Sequence, residues 1–171
     1  QNEFPQLSLY YQRWFMAYRF LLDHPEIERL VLTDLSDVQM LNAPFNDFES
    51  NCLYFCDEYS SLSVPIVMRD KTPNFIHQFL EDNSRLQTLN PGVIGGERAV
   101  VLEFLGILTN LIVETLCGIK KGLDGYKLGR YEMAWINYVA YRYFSTRVRN
   151  GRTVSTFFWT YRENDDSWFR H

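Results

Sequence analysis

Leu30-Val31-Leu32-Thr33-Asp34-Leu35-Ser36-Asp37-Val38-Gln39-Met40-Leu41-Asn42-Ala43-Pro44-Phe45 is the stretch on which the reading of this chain turns. Its apolar start, Leu30 to Leu32, reads as a buried strand that delivers two carboxylates, Asp34 and Asp37, at its carboxyl end. In an open α/β sheet that end is where ligands sit. Paired carboxylates there suit a hard divalent cation and the phosphates it escorts. If the strand ran on, residues three apart would lie roughly 10 Å apart with side chains on opposite faces, too far to share an ion. If it ends at Thr33 and residues 34–37 turn, the two Cα atoms come within about 7 Å. Both carboxylates then face one ion, or one binds it while the other holds the turn. The same residues also serve purely local ends, Asp34 as a helix N-cap and Asp37 as a solvated turn residue.

On the N-terminal side, Ser8 can cap a helix running to about Asp23. Leu9, Tyr10, Trp14, Tyr18, Leu21 and Leu22 recur there at helical spacing, and His24-Pro25 ends it. On the C-terminal side, Leu53 to Cys56 reads as a second strand leading into Asp57-Glu58, and the Pro-bearing residues 59–74 as irregular. Phe75 to Leu80 reads as a short helix. A helix apolar nearly all round follows over about Glu97 to Cys117, then a Gly-rich basic loop to Arg130 and an aromatic helix from Tyr131 to Phe144. Thr153 to Thr160 has strand composition, and Tyr161 to His171 reads as a polar tail with Asp165 and Asp166 in a solvated turn. Strands separated by helices predict an α/β fold in one domain over residues 1–171, with an open, mixed, mostly parallel sheet flanked by helices.

Two further segments offer chemistry. Asn90-Pro91-Gly92-Val93-Ile94-Gly95-Gly96 reads as a Gly-rich turn at the N-terminus of the long helix, where unpaired backbone N–H groups attract anions. It is neither a Walker loop nor GxGxxG, and close packing of helix on sheet accounts for its glycines equally well. The tail ends Trp168-Phe169-Arg170-His171, where a neutral imidazole can ligate a metal and a guanidinium can grip phosphate, although a terminal His is also commonly just exposed.

Composition narrows the classes. The net charge of −4 lacks the basic excess of a general nucleic-acid binder. No unbroken run of 18 or more apolar residues appears, which predicts no membrane-spanning segment. The three cysteines, Cys52, Cys56 and Cys117, are odd in number and lack nearby histidines, so they read as ordinary, partly buried thiols. The opening Gln-Asn-Glu-Phe-Pro, without Met or a leader pattern, reads as the start of a fragment.

Taken in order, these pieces resemble the GT-A type nucleotide-diphospho-sugar transferases (glycosyltransferases), in particular a group carrying a TDxRDVxFQxDPF-like segment, here Thr33 to Phe45. The resemblance runs over roughly residues 10–171. It implies a Rossmann-like sheet and transfer of a sugar from a UDP- or GDP-sugar to a hydroxyl of a glycan or protein acceptor. It further implies Mn²⁺ or Mg²⁺ held by Asp34, Asp37 and His171. Asp34, Asn90, Gly92, Gly95, Gly96 and Arg170 would contact the donor, Asp37 and Glu132 would act in catalysis, and Asp57 is an alternative base. Proteins of this kind work in the secretory pathway or Golgi lumen, others in the cytoplasm. Three departures stand out. Ser36 replaces an Arg between the acids. Glu132-Met133…Asn137 stands for an Asp-Gln…Asn signature. Only a helix precedes Leu30, where the resemblance implies a first strand and nucleotide-binding turn, so an N-terminally incomplete domain is expected. These departures favour, as the rival reading, a catalytically inactive GT-A-like binding or assembly domain. A metal-dependent phosphoesterase is the other enzyme reading, although the further His and Asp ligands it needs are scarce.

Overall fold

The computed structural model describes residues 7–156 and 166–171. Helix α1 spans Leu9–Asp23, and the chain turns at His24 and Pro25 into strand β1, Arg29–Thr33. Ser8 stands at the N-cap position, but its hydroxyl donates to the carbonyl of Arg130, 2.8 Å away, instead of accepting from the helix. After a short β2 (Gln39–Met40) come β3 (Leu53–Ser61), α2 (Pro65–Met68), α3 (Asn74–Asp82) and β4 (Gln87–Glu97). The long helix α4 (Arg98–Lys120) and α5 (Met133–Tyr143) follow, and two short strands, β5 (Val148–Arg149) and β6 (Phe169–Arg170), complete the described chain.

The main sheet has the order β1-β4-β3-β5, and β2 pairs with β6 in a separate small sheet. The α/β class and the mixed sheet flanked by helices agree with the sequence reading. The balance of directions does not: β1 and β3 both run antiparallel to β4, and only the two-residue β5 lies parallel, against β3. The segment between β3 and β4 carries α2 and α3 and is long enough for a parallel crossover, yet β4 returns beside β3 in the antiparallel sense. Nor is β1 interior. It forms an end of the sheet among the described residues, half-buried along its centre.

Alternation along the strands sorts the core. Leu53 and Phe55 face a cluster built with Tyr11, Trp14, Phe104, Leu108 and Trp135 from the helices. Cys52, Tyr54 and Cys56 face a second cluster with Phe48, Val93, Trp168 and Phe169. Period-two burial on both faces is what a fully covered sheet demands. The expected polar tail is thus partly core: Trp168 and Phe169 are buried, with Trp168 edge-on to Phe48 at 5.7 Å.

Helix α4 is long and apolar enough to cross a membrane by length and composition, which the absence of an unbroken apolar run had not suggested. Its inward residues, Phe104, Leu105, Leu108 and Ile112, build the core. Its exposed positions carry Glu103, bonded to Arg147, and Asn110, bonded to Glu114. That is the pattern of a helix packed on one side and wetted on the other.

The largest correction concerns Asn90 to Gly96. The segment is not a turn but the middle of β4, buried throughout. Its Pro and Gly mark a bulge: Phe55 pairs with Ile94, yet the next residue, Cys56, pairs with Asn90, so residues 91–93 have no partner on β3. Gly95 and Gly96 pair with Val31 and Leu30, toward the amino end of β1 and away from Asp34. At Gly96, φ is 148° and an added Cβ would sit 2.6 Å from the Cys52 carbonyl, so Gly serves the strand-to-helix corner here. The first N–H of α4, that of Arg98, already donates to the Glu28 carbonyl. Gly95 and Gly96 therefore lie at the opposite end of β1 from the two carboxylates. Of the expected strand at 153–160, residues 157–160 lie outside the described residues, and the rest contributes one bridge, Ser155 to Phe169. Asp165 lies outside them as well, and Asp166 is exposed.

Candidate metal centre

Strand β1 ends at Thr33, and residues 35–37 turn. The ladder to β4 closes with the Asp34 amide donating to the Gly92 carbonyl at 3.0 Å. This is the geometry under which the two carboxylates can converge, and they do. Ligand atoms of Asp34, Asp37 and His171 lie within 4.8 Å of one another. Asp37 is exposed, Asp34 half-buried, and His171 is 2 % exposed.

His171 arrives by strand pairing. Gln39 pairs with Arg170 and Met40 with Phe169, and continuing that antiparallel register by one residue sets His171 opposite Val38, beside Asp37. Leu41 and Asn42 donate their amides to the Trp168 carbonyl, at 2.7 and 3.1 Å, and the His171 amide donates to Thr156 Oγ1 at 3.2 Å. Burial lowers the His171 imidazole's proton affinity, against the opposing pull of Asp37, Asp34 and Glu58. The neutral imidazole is the form that ligates metals.

The β4 bulge forms the floor. Gly92 lies against the His171 ring so closely that an added Cβ would sit 2.5 Å from Nε2. Asn90 props the bulge, accepting from the Gly92 amide at 2.7 Å and donating to Glu58 Oε1 at 2.7 Å. Asn90 and Gly92 thus belong to the site as its support, whereas Gly95 and Gly96 do not. Arg170 sits on β6 opposite Gln39, outside the three-residue cluster.

Glu132 reaches the site through a residue that motif reading missed. Arg13, on α1, pairs through Nη1 with Asp34 and through Nη2 with Glu132. Glu132 is 3 % exposed. Burial raises its proton affinity and Arg13 opposes the rise. No local signal marks Arg13, because its two partners lie 21 and 119 residues away in sequence. Asp57 faces elsewhere, accepting from Asn150 Nδ2 at 2.7 Å.

A cleft of about 150 Å³ opens beside the cluster, lined by Arg13, Trp14, Ala17, Leu32, Thr33, Asp34 and Pro91. Two carboxylates and an imidazole are a donor set that Mn²⁺ accepts readily and Mg²⁺ can share. The space left by Gly92 for the imidazole fits that use. Comparison of the sequence with protein-family models and with curated proteins gives no match.

Proposed function

We propose that this chain is a metal-dependent glycosyltransferase domain that moves a sugar from a nucleotide-diphosphate donor to a hydroxyl acceptor on a glycan or protein. The observation that carries this reading is the convergence of Asp34, Asp37 and His171 at the carboxyl end of β1. Those three residues would hold Mn²⁺ or Mg²⁺, which when bound neutralises the charge that develops on a departing diphosphate. Arg13 orients Asp34 toward the cluster and holds Glu132 within the same network. The proton released by the acceptor hydroxyl goes to a carboxylate, and Glu132, whose proton affinity burial raises, is the group suited to take it. Gly92 and Asn90 fix the imidazole and the bulge beneath the diphosphate.

Thermal unfolding with Mn²⁺ and UDP or GDP tests this. The expected result is stabilisation that requires both metal and nucleotide and disappears in Asp34→Ala and Asp37→Ala. Absence of any shift with either nucleotide overturns the reading.

One observation favours a second reading, a domain that binds donor without turning it over. Met133, buried beside Glu132, cannot make the hydrogen bond that a Gln would make there. Nucleotide-sugar binding at full affinity without transfer or hydrolysis over long incubation decides for it.

A further inference from the structure

Every lysine of the chain falls in two segments that the fold sets side by side. Lys71 follows α2, Lys120 ends α4, and Lys121 and Lys127 stand in the Gly-rich loop between α4 and α5. Arg69 and Arg130 belong to the same segments, and all six cations are exposed. Backbone bonds hold the segments together. The Leu123 amide donates to the Gly118 carbonyl at 3.0 Å, folding the loop back on the end of α4, and the Asn74 amide donates to the Gly125 carbonyl at 2.9 Å. Asp70 accepts from the amides of Arg130 and Tyr131, at 3.0 and 2.8 Å. Residues 69–74 therefore run beside residues 125–131.

Internal pairing does not account for this concentration of charge. None of the six cations takes part in a salt bridge among the described residues. Asp70 is committed to the two amides, and Asp124 is the one exposed carboxylate in residues 66–74 and 118–131. On a chain of net charge −4, a strip of one sign points to an anionic partner. Apolar side chains share the strip. Ile66, Ile119 and Leu123 are exposed, and Leu123 stands at the bend of the loop, between Gly122 and Gly125, whose φ angles of 67° and 83° let the chain double back.

This mixture decides the class of partner. Single-stranded nucleic acid needs free aromatic faces, and here they are taken: Tyr126 lies on Gly118, where an added Cβ would stand 2.5 Å from the ring, and Phe75 packs edge-on against Tyr138 at 5.6 Å. Arginine forks suit discrete phosphates, whereas lysines on flexible stems suit a diffuse negative surface. Clustered lysines around exposed aliphatic side chains match a bilayer with anionic headgroups and an apolar layer beneath them. We propose that this strip docks the domain on an anionic membrane surface, with the lysines at the headgroups and Leu123 and Ile119 entering the layer below. Arg130 and Tyr131 lead directly into Glu132, so the docked face adjoins the candidate metal centre. The proposal stands independently of the transfer reaction.

Co-sedimentation of the full chain with vesicles tests it, comparing equal parts phosphatidylserine and phosphatidylcholine with phosphatidylcholine alone. Binding to the mixed vesicles only, weakening as salt rises, is expected. Lys120→Gln with Lys121→Gln should weaken it about 25-fold, from roughly fivefold per charge. Leu123→Ser should weaken it about tenfold through lost apolar burial. All three positions are exposed, so the Tm of each free variant should match the parent's, which separates lost docking from lost folding. An oligouridylate and a multiply phosphorylated peptide serve as competing soluble polyanions. No binding to the mixed vesicles at low salt, equal binding to the neutral ones, or binding unmoved by either variant overturns the proposal. So does a soluble polyanion that binds more tightly than the vesicles and is indifferent to Leu123→Ser, which would assign the strip to nucleic acid or phosphopeptide instead.

Discussion

The imidazole of His171 occupies the space that any side chain on Gly92 would need: an added Cβ would stand 2.5 Å from Nε2 and 3.0 Å from Nδ1. One residue from the β4 bulge and one from the C-terminal segment therefore interlock without a hydrogen bond between them. Gly92→Ala should displace the ring and weaken Mn²⁺ binding by about ten- to hundredfold, the usual cost of disturbing a ligand's support. Combined with His171→Ala it should add little, because both act on one ligand. Manganese titration followed by electron paramagnetic resonance reads both.

The carboxylate pair separates into two roles. Asp37 is exposed, and no ion pair holds it among those formed by the described residues, whereas Asp34 is paired with Arg13. Asp37→Asn should leave the metal-free Tm almost unmoved, as surface changes of about ±0.5 kcal/mol do, while removing Mn²⁺-dependent stabilisation. Asp34→Asn should lose that stabilisation and also lower the metal-free Tm. Equal metal-free effects from the two variants would contradict the division.

How much of this was legible beforehand follows from which forces act locally. The strand ending at Thr33 and the turn to Asp37 are set by neighbours in sequence, so the convergence of the two carboxylates could be read. The helix ending at Asp23 follows from apolar spacing and a Pro-bearing stop, and the helix read over Tyr131 to Phe144, observed as Met133–Tyr143, from aromatic spacing alone. Asn90 to Gly96 was misread because Pro and Gly signal a turn and a bulge alike, and only pairing with β3 tells them apart. Arg13 was missed because its partners lie 21 and 119 residues away. That His171 joins Asp34 and Asp37 followed from the resemblance alone, since nothing local shows that β6 pairs with β2.

Asn137 serves where a strand is lacking. On the β1 side of β4 the ladder ends at Val93 and Gly92, and the backbone of Leu89 is met instead by one amide side chain. Asn137 Oδ1 accepts from Leu89 N–H at 2.8 Å, and its Nδ2 donates to Leu89 C=O at 2.9 Å. Four residues on, Tyr141 donates to the Gln87 carbonyl at 2.6 Å. The spacing matches, since four helical residues rise about 6 Å and two strand residues about 6.7 Å. Asn137→Ala should cost about 3 kcal/mol through two orphaned backbone groups, a fall in Tm of roughly 6–12 °C. Tyr141→Phe should cost about 1 kcal/mol. Urea denaturation of both variants gives the comparison.

Asp57 supplies a pH dependence of known sign. Burial raises its proton affinity above the ordinary Asp range, against the hydrogen bonds from Asn150 and the Gly151 backbone. The folded state therefore holds this proton at a pH where the unfolded chain has released it. The group's contribution is fully present below the unfolded value and falls as pH rises through the folded one. Asp57→Asn keeps an acceptor for Asn150 and removes the charge. It should raise stability at pH 7 and flatten that part of the stability profile on the acid side. A variant less stable than the parent at pH 7, with the slope unchanged, would show that the carboxylate is held charged.

The Arg13 network predicts a rescue. The side chains of Arg13 and Glu132 are 32 % and 4 % exposed, so the acid is buried and its counter-ion partly wet. Removing the cation leaves a buried carboxylate whose proton affinity burial already raises. Breaking a fully buried pair costs about 3–5 kcal/mol, and the partial exposure of Arg13 reduces this to roughly 2 kcal/mol. Arg13→Ala should lose that amount at pH 7 and regain part of it on acidification, as Glu132 takes up a proton in the folded state. Arg13→Ala with Glu132→Gln removes the stranded charge and should be more stable at pH 7 than Arg13→Ala alone, with a flatter pH profile. If the double variant is instead less stable by the sum of the single effects, the two residues are not coupled and Arg13 acts on Asp34 only. A double-mutant cycle in urea at pH 5 and pH 7 distinguishes these results.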